Sequence, residues 1–470
     1  MDYQTVLKKT GIERKDYQEE GIKWMVHLET RTDLPHAFRG GFIADEMGLG
    51  KTILCISTFL INFLPKTLII VPPILLKQWE QEIYNKTSHK ALIYHGTSRR
   101  NISMDVLLAA PIVLTTYSLI AEKNKGILFD ISWDRIVFDE AHHLRNVNNR
   151  LIGARQLKRK ITWLVSGTPI QNKKQDFYNL CSVLKMPSSY YTEAVNLPEI
   201  IQNFILKRTK VQVGIDIPDV NISQTLCLWD NEKERKMSEN IHFLLASKTE
   251  KKLPLYLQAR QFCILPSLCE YSISKRGQIP IIPDAFKGTT KIDTVISTII
   301  GRRYNGNGKL VFCHFKGEID FIANKLRENG ITNICIFDGR MSQFKRSRNI
   351  HKAFDVIILQ IQTGCEGLNL QANYSEIYFV SPDWNPFVEQ QAIARCHRIG
   401  QRKNVNVFRF VMDDFLIQSQ DDQIMDEVID EDIEDDPYIV KSLDTYIRNT
   451  QISKETLVNT LFENTILEKV

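Results

Sequence analysis

Short apolar runs bounded by polar segments recur along two stretches of the chain. The first stretch has runs at 67–71, 112–115, 135–138 and 162–165, and the second has runs at 309–312, 333–336, 355–359 and 376–380. Each run is rich in β-branched and aliphatic side chains, which is typical of parallel strands covered on both faces. Helix-like segments follow the runs. The pattern therefore predicts two α/β lobes, each built on a parallel sheet.

The pattern lapses between about residues 187 and 290. Longer polar, helix-biased segments such as 231–252 replace the apolar runs there. We interpret this region as a short helical insert between the lobes. The predicted organisation is an N-terminal lobe over 1–207, a helical insert and linker over 208–290, a C-terminal lobe over 291–412, and an acidic and helical tail over 413–470.

Charge is distributed unevenly along the 470 residues. The formal net charge is +5, yet residues 412–436 contain twelve Asp or Glu and no Lys or Arg, so the remainder carries +17. A basic body suits a nucleic acid or another phosphate partner, although solubility alone would also account for it. The acidic run is either a solvated linker or a mimic of nucleic acid that restrains the protein until its partner displaces it.

The chain start and the cysteines indicate the cellular environment. The first residues lack a basic-then-apolar signal, and no apolar run approaches the roughly 18 residues that span a bilayer. The nine cysteines are scattered without a C-x-x-C pair. This favours free thiols in a reducing intracellular compartment over a zinc site, a disulfide framework or a membrane protein.

A glycine-rich loop is predicted between a strand and a helix. Residues 42–44 lead into the segment 45–52, which reads D-E-M-G-L-G-K-T and precedes the apolar helix-forming run 53–56. Small residues let backbone N–H groups surround phosphate oxygens, Lys51 can neutralise the β- and γ-phosphates, and the Thr52 hydroxyl can bind Mg²⁺. Asp45 departs from the general G-x-x-x-x-G-K-[ST] pattern, where this position is glycine.

An acidic pair ends the predicted strand at 135–138. Asp139 at such a strand tip can hold Mg²⁺ through water, and Glu140 can polarise an attacking water. An acidic pair at this position could also simply cap a helix, but the upstream phosphate loop favours the catalytic interpretation. We interpret His142 and His143, which follow, as interdomain or surface groups.

Two arginines near the end of the second lobe are candidates for contact with a triphosphate. The segment 391–401 is expected to begin as a helix, which would place Arg395 and Arg398 on one helical face. An arginine from a second lobe can stabilise the charge of a transferring phosphoryl group. The alternative is a solvated basic face.

Taken in order, these motifs resemble the Swi/Snf-type remodelling ATPases, a branch of the second helicase superfamily with a DEAH-box-like acidic motif. In its compact size the chain resembles a viral or bacterial member of that family. The matching segments are 17–24, 45–52, 70–72, 115–117, 139–142, 166–172, 364–370, 383–386 and 391–401. The D-E-M-G-L-G-K-T string matches the family's phosphate loop, so Asp45 is itself a family mark. The resemblance implies two RecA-like lobes, ATP and Mg²⁺ as cofactors, and double-stranded DNA gripped through its phosphates without regard to sequence.

The resemblance also implies roles for individual residues. The catalytic residues for hydrolysis would be Asp139, Glu140 and Lys51, and the arginine fingers would be Arg395 and Arg398. Nucleotide binding falls to Gln18, which would read the adenine, and to the loop residues Asp45, Glu46, Met47, Gly48, Leu49, Gly50, Lys51 and Thr52. Coupling of nucleotide to DNA falls to Gly167, Thr168, Pro169 and Gln391. The segments expected to line the DNA track contain Trp79, Thr116, Thr363 and Gly364.

The leading hypothesis is an ATP-dependent translocase that moves on double-stranded DNA as a monomeric motor or remodels protein–DNA complexes. One alternative is a helicase that separates DNA or RNA strands. Another is an ATP-gated nucleic-acid clamp that hydrolyses slowly. A protein–DNA or transcription complex would be a further partner, and the nucleus or a viral replication site would be the location in a eukaryotic or viral setting.

Overall fold

The computed structural model describes residues 3–31, 38–167, 173–247, 252–276, 279–341, 345, 348–349, 352–364, 368–416 and 439–467. Most of the acidic run at 412–436, and with it the proposed restraint, lies outside these residues. The chain forms two compact units. The N-terminal unit comprises Met1–Asp216 and Lys454–Val470, and the C-terminal unit comprises Ile217–Ser453.

The N-terminal unit is built on a seven-stranded sheet in the order β3-β4-β2-β5-β6-β1-β7, and all its strand pairs are parallel. Its strands are β1 (Arg39–Ile43), β2 (Thr67–Val71), β3 (Leu92–Ile93), β4 (Ile112–Thr116), β5 (Trp133–Asp139), β6 (Arg159–Val165) and β7 (Ile205–Leu206). Its helices are α1 (Tyr3–Thr10), α2 (Asp16–Thr30), α3 (Lys51–Ile61), α4 (Leu76–Thr87), α5 (Met104–Ala109), α6 (Asn149–Gln156), α7 (Lys174–Val183), α8 (Ser188–Tyr191) and α9 (Leu197–Phe204).

A buried ion pair fixes α2 to this sheet. The Arg135 guanidinium donates to both carboxylate oxygens of Glu29, at 2.6 and 2.5 Å, and Trp163 Nε1 donates to the same carboxylate at 2.8 Å. Both charged side chains are fully buried. Helix α2 also carries Gln18, at the opposite end of the helix from Glu29. Gly40, at φ +109°, lets β1 approach β6, since a Cβ there would lie 1.9 Å from the Thr162 carbonyl oxygen.

The C-terminal unit is built on a six-stranded sheet in the order β10-β11-β9-β12-β13-β8, which is also parallel throughout. Its strands are β8 (Val220–Cys227), β9 (Gly308–Cys313), β10 (Ile334–Phe337), β11 (Val356–Gln360), β12 (Tyr374–Phe379) and β13 (Val405–Met412), with β14 (Phe415–Leu416) and β15 (Ile439–Val440) forming a separate antiparallel pair. Its helices are α10 (Glu232–Ser247), α11 (Leu253–Ile264), α12 (Glu270–Arg276), α13 (Thr290–Gly301), α14 (Lys316–Glu328), α15 (Ile361–Gly364), α16 (Pro386–Ile393) and α17 (Leu443–Leu467), the last of which runs on past the unit's boundary at 453.

The predicted architecture of two parallel-sheet α/β lobes is confirmed, but the boundaries differ. The compact units divide after Asp216, and the segment 208–290 is not a separate insert. Strand β8 lies within it and pairs with β13 along its whole length, from Val220 opposite Val405 to Cys227 opposite Met412. Helices α10 and α11 pack into the same core as the sheet. The strand was missed because it is an edge strand in which 221–224 are all exposed and only Cys227 is buried.

The predicted tail contains a helix that joins the core of the C-terminal unit. Leu443 and Ile447 of α17 belong to the same core cluster as α11 and α13. Asp444 forms a buried ion pair with Lys291 and accepts a hydrogen bond from the Met412 backbone N–H at 3.0 Å. The helix is thereby fixed to the last strand of the sheet.

Two further features of the described residues concern the cysteines and the length of the helices. The eight cysteines that the structure describes are free and buried. No helix among the described residues is long and apolar enough to cross a bilayer.

Candidate functional site

The predicted phosphate loop joins β1 to α3. Gly50, at φ +84°, adopts a left-handed conformation immediately before α3. The first turn of α3 has no side-chain cap and no acidic residue, so its N–H groups suit an anion. Lys51 Nζ donates to the Asp45 carbonyl at 2.8 Å and lies 3.4 Å from the Glu46 carbonyl. Thr52 is half-buried on the same turn.

Gln18 closes over the end of this loop. Its Nε2 donates to the Leu49 carbonyl at 3.2 Å. A Cβ at position 50 would lie 2.6 Å from that nitrogen, so a side chain there would displace the Gln18 amide as well as strain the left-handed backbone. The side chain is buried, and the structure brings the predicted adenine-reading residue into contact with the loop itself.

Asp45 and Glu46 have partners that sequence reasoning missed. The fully buried Asp45 carboxylate binds the Arg208 guanidinium, with Nε to Oδ1 at 3.0 Å. Glu46 Oε1 lies 2.7 Å from Lys210 Nζ. Their side chains thus hold the segment that follows β7 instead of pointing to a ligand. The aspartate in place of the general glycine was the only sequence signal for this arrangement.

The predicted acid pair ends β5 on the same edge of the sheet. Asp139 Oδ1 accepts the Glu140 backbone N–H at 3.0 Å, and Tyr117 Oη donates to the Asp139 carbonyl at 2.6 Å. Burial, assisted by the neighbouring Glu140 carboxylate, raises the pKa of Asp139, while the Trp79 hydrogen bond and the nearby Lys51 ammonium oppose that shift. The loop and the acid pair therefore form one electrostatic site.

The side chains of Trp79 and Thr116, which lie in segments predicted to line a nucleic-acid track, are buried. That these segments line the track stays a prediction. The Trp79 side chain is 2% exposed, and its Nε1 donates to Asp139 Oδ2 at 2.7 Å. Thr116 is fully buried, with its hydroxyl 3.0 Å from the Ser118 hydroxyl. Neither side chain faces solvent, because both are packed where the sheet meets its covering elements. Trp79 orients the acidic pair.

Glu140 adopts a left-handed conformation at φ +52°, uncommon for a residue with a side chain. Its Oε2 lies 3.3 Å from His142 Nδ1, and that nitrogen lies 3.5 Å from the Ser166 hydroxyl after β6. His142 stacks on His143 with ring centroids 4.8 Å apart. The two histidines are half-buried, and their interpretation as interdomain or surface groups stays a prediction.

The coupling segment after β6 contacts the phosphate loop. A Cβ on Gly167 would lie 3.3 Å from Met47 Cγ and 3.5 Å from Lys51 Nζ. Thr168 and Pro169 lie outside the described residues. Gly167 is therefore the one member of the predicted coupling triplet whose place can be given, and it lies against the lysine.

The donor set fits a magnesium ion bound together with a nucleotide. Thr52 lies in the first turn of α3, and Asp139 ends β5; a hydroxyl and one carboxylate are the few protein ligands Mg²⁺ uses when phosphates and water complete its shell. Among the described residues no group of three His, Cys, Asp or Glu side chains could hold a metal by itself. Any magnesium ion would thus depend on the phosphates.

The predicted arginines lie in the C-terminal unit, but not on a helix. Helix α16 ends at Ile393, and the segment continues in turns, with the Arg395 N–H bonded to the Ala392 carbonyl at 3.2 Å. Arg398 donates to Asn369 Oδ1. Burial and the charge of the neighbouring Arg395 lower the pKa of Arg398. The prediction that one helical face carries both arginines is wrong.

The remaining predicted residues of this unit lie at or after strand ends. Thr363 and Gly364 form the last part of α15, directly after β11, and Gln391 is buried on α16. Carboxyl ends of parallel strands are where α/β folds bind ligands. The placement is compatible with the predicted roles but does not assign them.

Comparisons with known proteins agree with this arrangement. A model of the SNF2-related domain matches residues 17–268, and a model of the helicase conserved C-terminal domain matches residues 290–400. An uncharacterized ATP-dependent helicase of Mycoplasma pneumoniae is 27% identical over 89% of this chain and 42% of its own length. The ATP-dependent DNA helicase DDM1 of Arabidopsis thaliana is 28% identical over 85% of this chain and 59% of its own.

A viral relative matches along almost its full length. The probable global transactivator of Orgyia pseudotsugata multicapsid polyhedrosis virus is 26% identical, over 96% of this chain and 92% of its own length. The first two relatives are much longer, and this chain spans about half of their length.

Proposed function

The chain belongs to the SNF2-related family, and from that premise we propose that it hydrolyses ATP and uses the energy to translocate on double-stranded DNA. The observation that carries the proposal is the single site formed by the phosphate loop and the acidic pair. The Lys51 ammonium is near enough to Asp139 to influence its pKa. Gly167 brings the coupling segment against the same lysine.

The residues of the site divide the chemistry of hydrolysis among them. Lys51 and the N–H groups of the first turn of α3 would bind the β- and γ-phosphates. Glu140 would orient the attacking water and accept its proton, with His142 3.3 Å from its carboxylate. Mg²⁺, held by Thr52 and Asp139, would neutralise charge on the phosphates. Trp79 would keep the Asp139 carboxylate in place through its hydrogen bond.

The C-terminal unit would complete the reaction with Arg395 and Arg398. A guanidinium that reaches the γ-phosphate stabilises the charge that develops during phosphoryl transfer. Burial and the charge of the neighbouring Arg395 lower the pKa of Arg398, and a bound anion would offset both effects. In the proposed reaction this anion is a phosphate group of the nucleotide.

Double-stranded DNA is the proposed partner. The chain outside 412–436 carries a formal charge of +17, which suits a phosphate backbone. The name of the relative DDM1 describes a DNA helicase. Contacts to phosphates would make binding independent of sequence. A protein–DNA complex would be the target if remodelling is the outcome of translocation.

Displacement of the third strand from a DNA triplex tests the proposal. A translocase moving along the duplex should release the labelled third strand only with ATP, and the Glu140→Gln variant should release none. Absence of ATP-dependent release by the unaltered chain would refute translocation. A tailed duplex run in parallel separates the alternative, because release of one of its strands would indicate a helicase that unwinds.

A further inference from the structure

Arg208 of the N-terminal unit has no role in the proposed reaction as described above. We propose that Arg208 is a positioning residue that holds the phosphate loop in its nucleotide-binding shape through the Asp45 carboxylate. The inference rests on the proposed binding of ATP by this loop. It assigns a role to a residue outside every motif on which the sequence analysis relied.

The contacts between Arg208 and Asp45 are unusually complete. Nε donates to Oδ1 at 3.0 Å, Nη2 donates to Oδ2 at 2.5 Å, and the Arg208 backbone N–H donates to Oδ1 at 3.1 Å. Nη1 donates to the Tyr17 carbonyl, and the guanidinium lies 5.4 Å from the centre of the Tyr17 ring. A paired guanidinium–carboxylate contact of this kind fixes direction as well as distance.

A second set of contacts runs beside the first. The Ala44 N–H donates to the Leu206 carbonyl at 2.7 Å, and the Glu46 N–H donates to the Arg208 carbonyl at 2.9 Å. Lys210 N–H in turn donates to the Glu46 carboxylate at 2.8 Å. The segment after β7 therefore lies along the start of the loop as an extension of the sheet.

Asp45 connects this segment to the lysine that would bind phosphate. Its carboxylate holds Arg208, while its carbonyl accepts from Lys51 Nζ at 2.8 Å. A glycine at position 45, as in the general phosphate-loop pattern, would leave Arg208 without a carboxylate there. Asp45 and Arg208 thus depend on each other, and the loop's shape is set partly from residue 208.

The position of Arg208 in the chain adds a consequence. Residue 208 lies shortly before Asp216, where the N-terminal unit gives way to the C-terminal unit. A nucleotide phosphate would compete with the Asp45 carbonyl for the Lys51 ammonium. Any change in the loop would then reach the segment that leads into the C-terminal unit.

Binding of a fluorescent methylanthraniloyl derivative of ADP tests the inference without relying on turnover. Arg208→Gln leaves the buried Asp45 carboxylate without its cation, and we expect affinity to fall by about tenfold or more, since one partner of a buried ion pair has been removed. The Asp45→Asn, Arg208→Gln double variant should be less impaired than the product of the two single effects, because the pair acts as one unit.

Arg135→Gln is the matched control. It breaks the other buried arginine–carboxylate pair of the same unit, Arg135–Glu29. Its unfolding temperature should fall while the folded protein keeps its affinity within about threefold, because independent sites do not couple. Arg208→Gln with lowered thermal stability but unaltered affinity would show that Arg208 is only structural and would overturn the inference.

Two further outcomes of the binding experiment have a defined meaning. Should Arg208→Gln fail to fold, Arg208→Lys takes its place: it keeps the charge but not the paired geometry, so weakened binding supports the inference and wild-type binding overturns it. Absence of nucleotide binding by the unaltered chain would instead refute the proposed function. The two failures are therefore distinguishable.

Discussion

Replacing Trp79 by Phe separates the role that the structure gives this residue from the one that the sequence predicted. The change removes the only donor of the indole, which binds Asp139 Oδ2 at 2.7 Å. The phenyl ring keeps most of the apolar contact of α4 with the sheet. The variant therefore probes one hydrogen bond to a buried carboxylate.

The expected magnitudes follow from the burial of both groups. A hydrogen bond to a charged partner contributes about 1.5–3 kcal/mol to stability. The smaller ring adds a cavity, so the free energy of unfolding of the N-terminal unit should fall by about 2–5 kcal/mol. Loss of a group that orients a metal ligand typically lowers activity about 10- to 100-fold, and we expect ATP turnover to fall by that factor.

Two measurements and one control decide between the roles. Steady-state ATP turnover at saturating duplex DNA should fall, while DNA affinity from fluorescence anisotropy at fixed salt should stay within about twofold, since a buried side chain makes no phosphate contact. Trp133→Phe is the control, because its equally buried indole donates to the Leu128 carbonyl, away from the acidic pair. It should lose stability and keep turnover. Unchanged turnover with DNA affinity reduced tenfold would refute the reasoning.

The other predictions concern three residues. Glu140→Gln should bind nucleotide normally and lower hydrolysis by orders of magnitude, and near-wild-type turnover would show that Glu140 does not act on the water. Arg398→Ala should lower hydrolysis roughly 10³-fold, whereas a loss of tenfold or less would leave only its structural bond to Asn369. Burial lowers the pKa of His242, whose Nε2 accepts the Leu443 N–H at 3.0 Å. As pH falls below about 6.5, the unfolded chain therefore takes up a proton on His242 that the folded chain does not. We expect the unaltered protein to exceed the His242→Gln variant fully in unfolding free energy at pH 8. In urea unfolding at pH 5.5 that difference should be smaller by about 1 kcal/mol. An advantage equal at both pH values would contradict this.

Local patterns in the sequence were sufficient for most of the central strands of both sheets and for the core of the site. The strands β2, β4 and β5 are continuous apolar runs buried on both faces, so their composition alone identifies them. The loop 45–52 is recognisable because its glycines and Lys51 are adjacent in the chain. Asp139 and Glu140 follow a strand directly, which placed them at the sheet edge.

The contacts that the sequence did not predict join residues far apart in the chain. Arg208 and Asp45 are separated by 163 residues, and Trp79 and Asp139 by 60. Nothing in the local pattern states which buried polar groups will meet, because such pairs depend on the register of strands that are not neighbours in sequence. Edge strand β8 was missed for a different reason, since most of its residues are exposed and its polar residues break the apolar run.

The arginine segment was mispredicted through helix geometry. A spacing of three residues suggested one helical face, yet the helix ends at Ile393 and the chain turns before Arg395. Where a helix ends depends on tertiary contacts, which a periodicity argument does not contain.

The rate of ATP hydrolysis with and without double-stranded DNA, at one stated salt concentration, tests the central claim most directly. Single-stranded DNA and RNA in parallel reactions show which nucleic acid is the partner. We predict turnover that rises severalfold or more with duplex DNA of any sequence, and that is abolished in the Glu140→Gln variant. Turnover that is the same with every nucleic acid and without any would contradict the account.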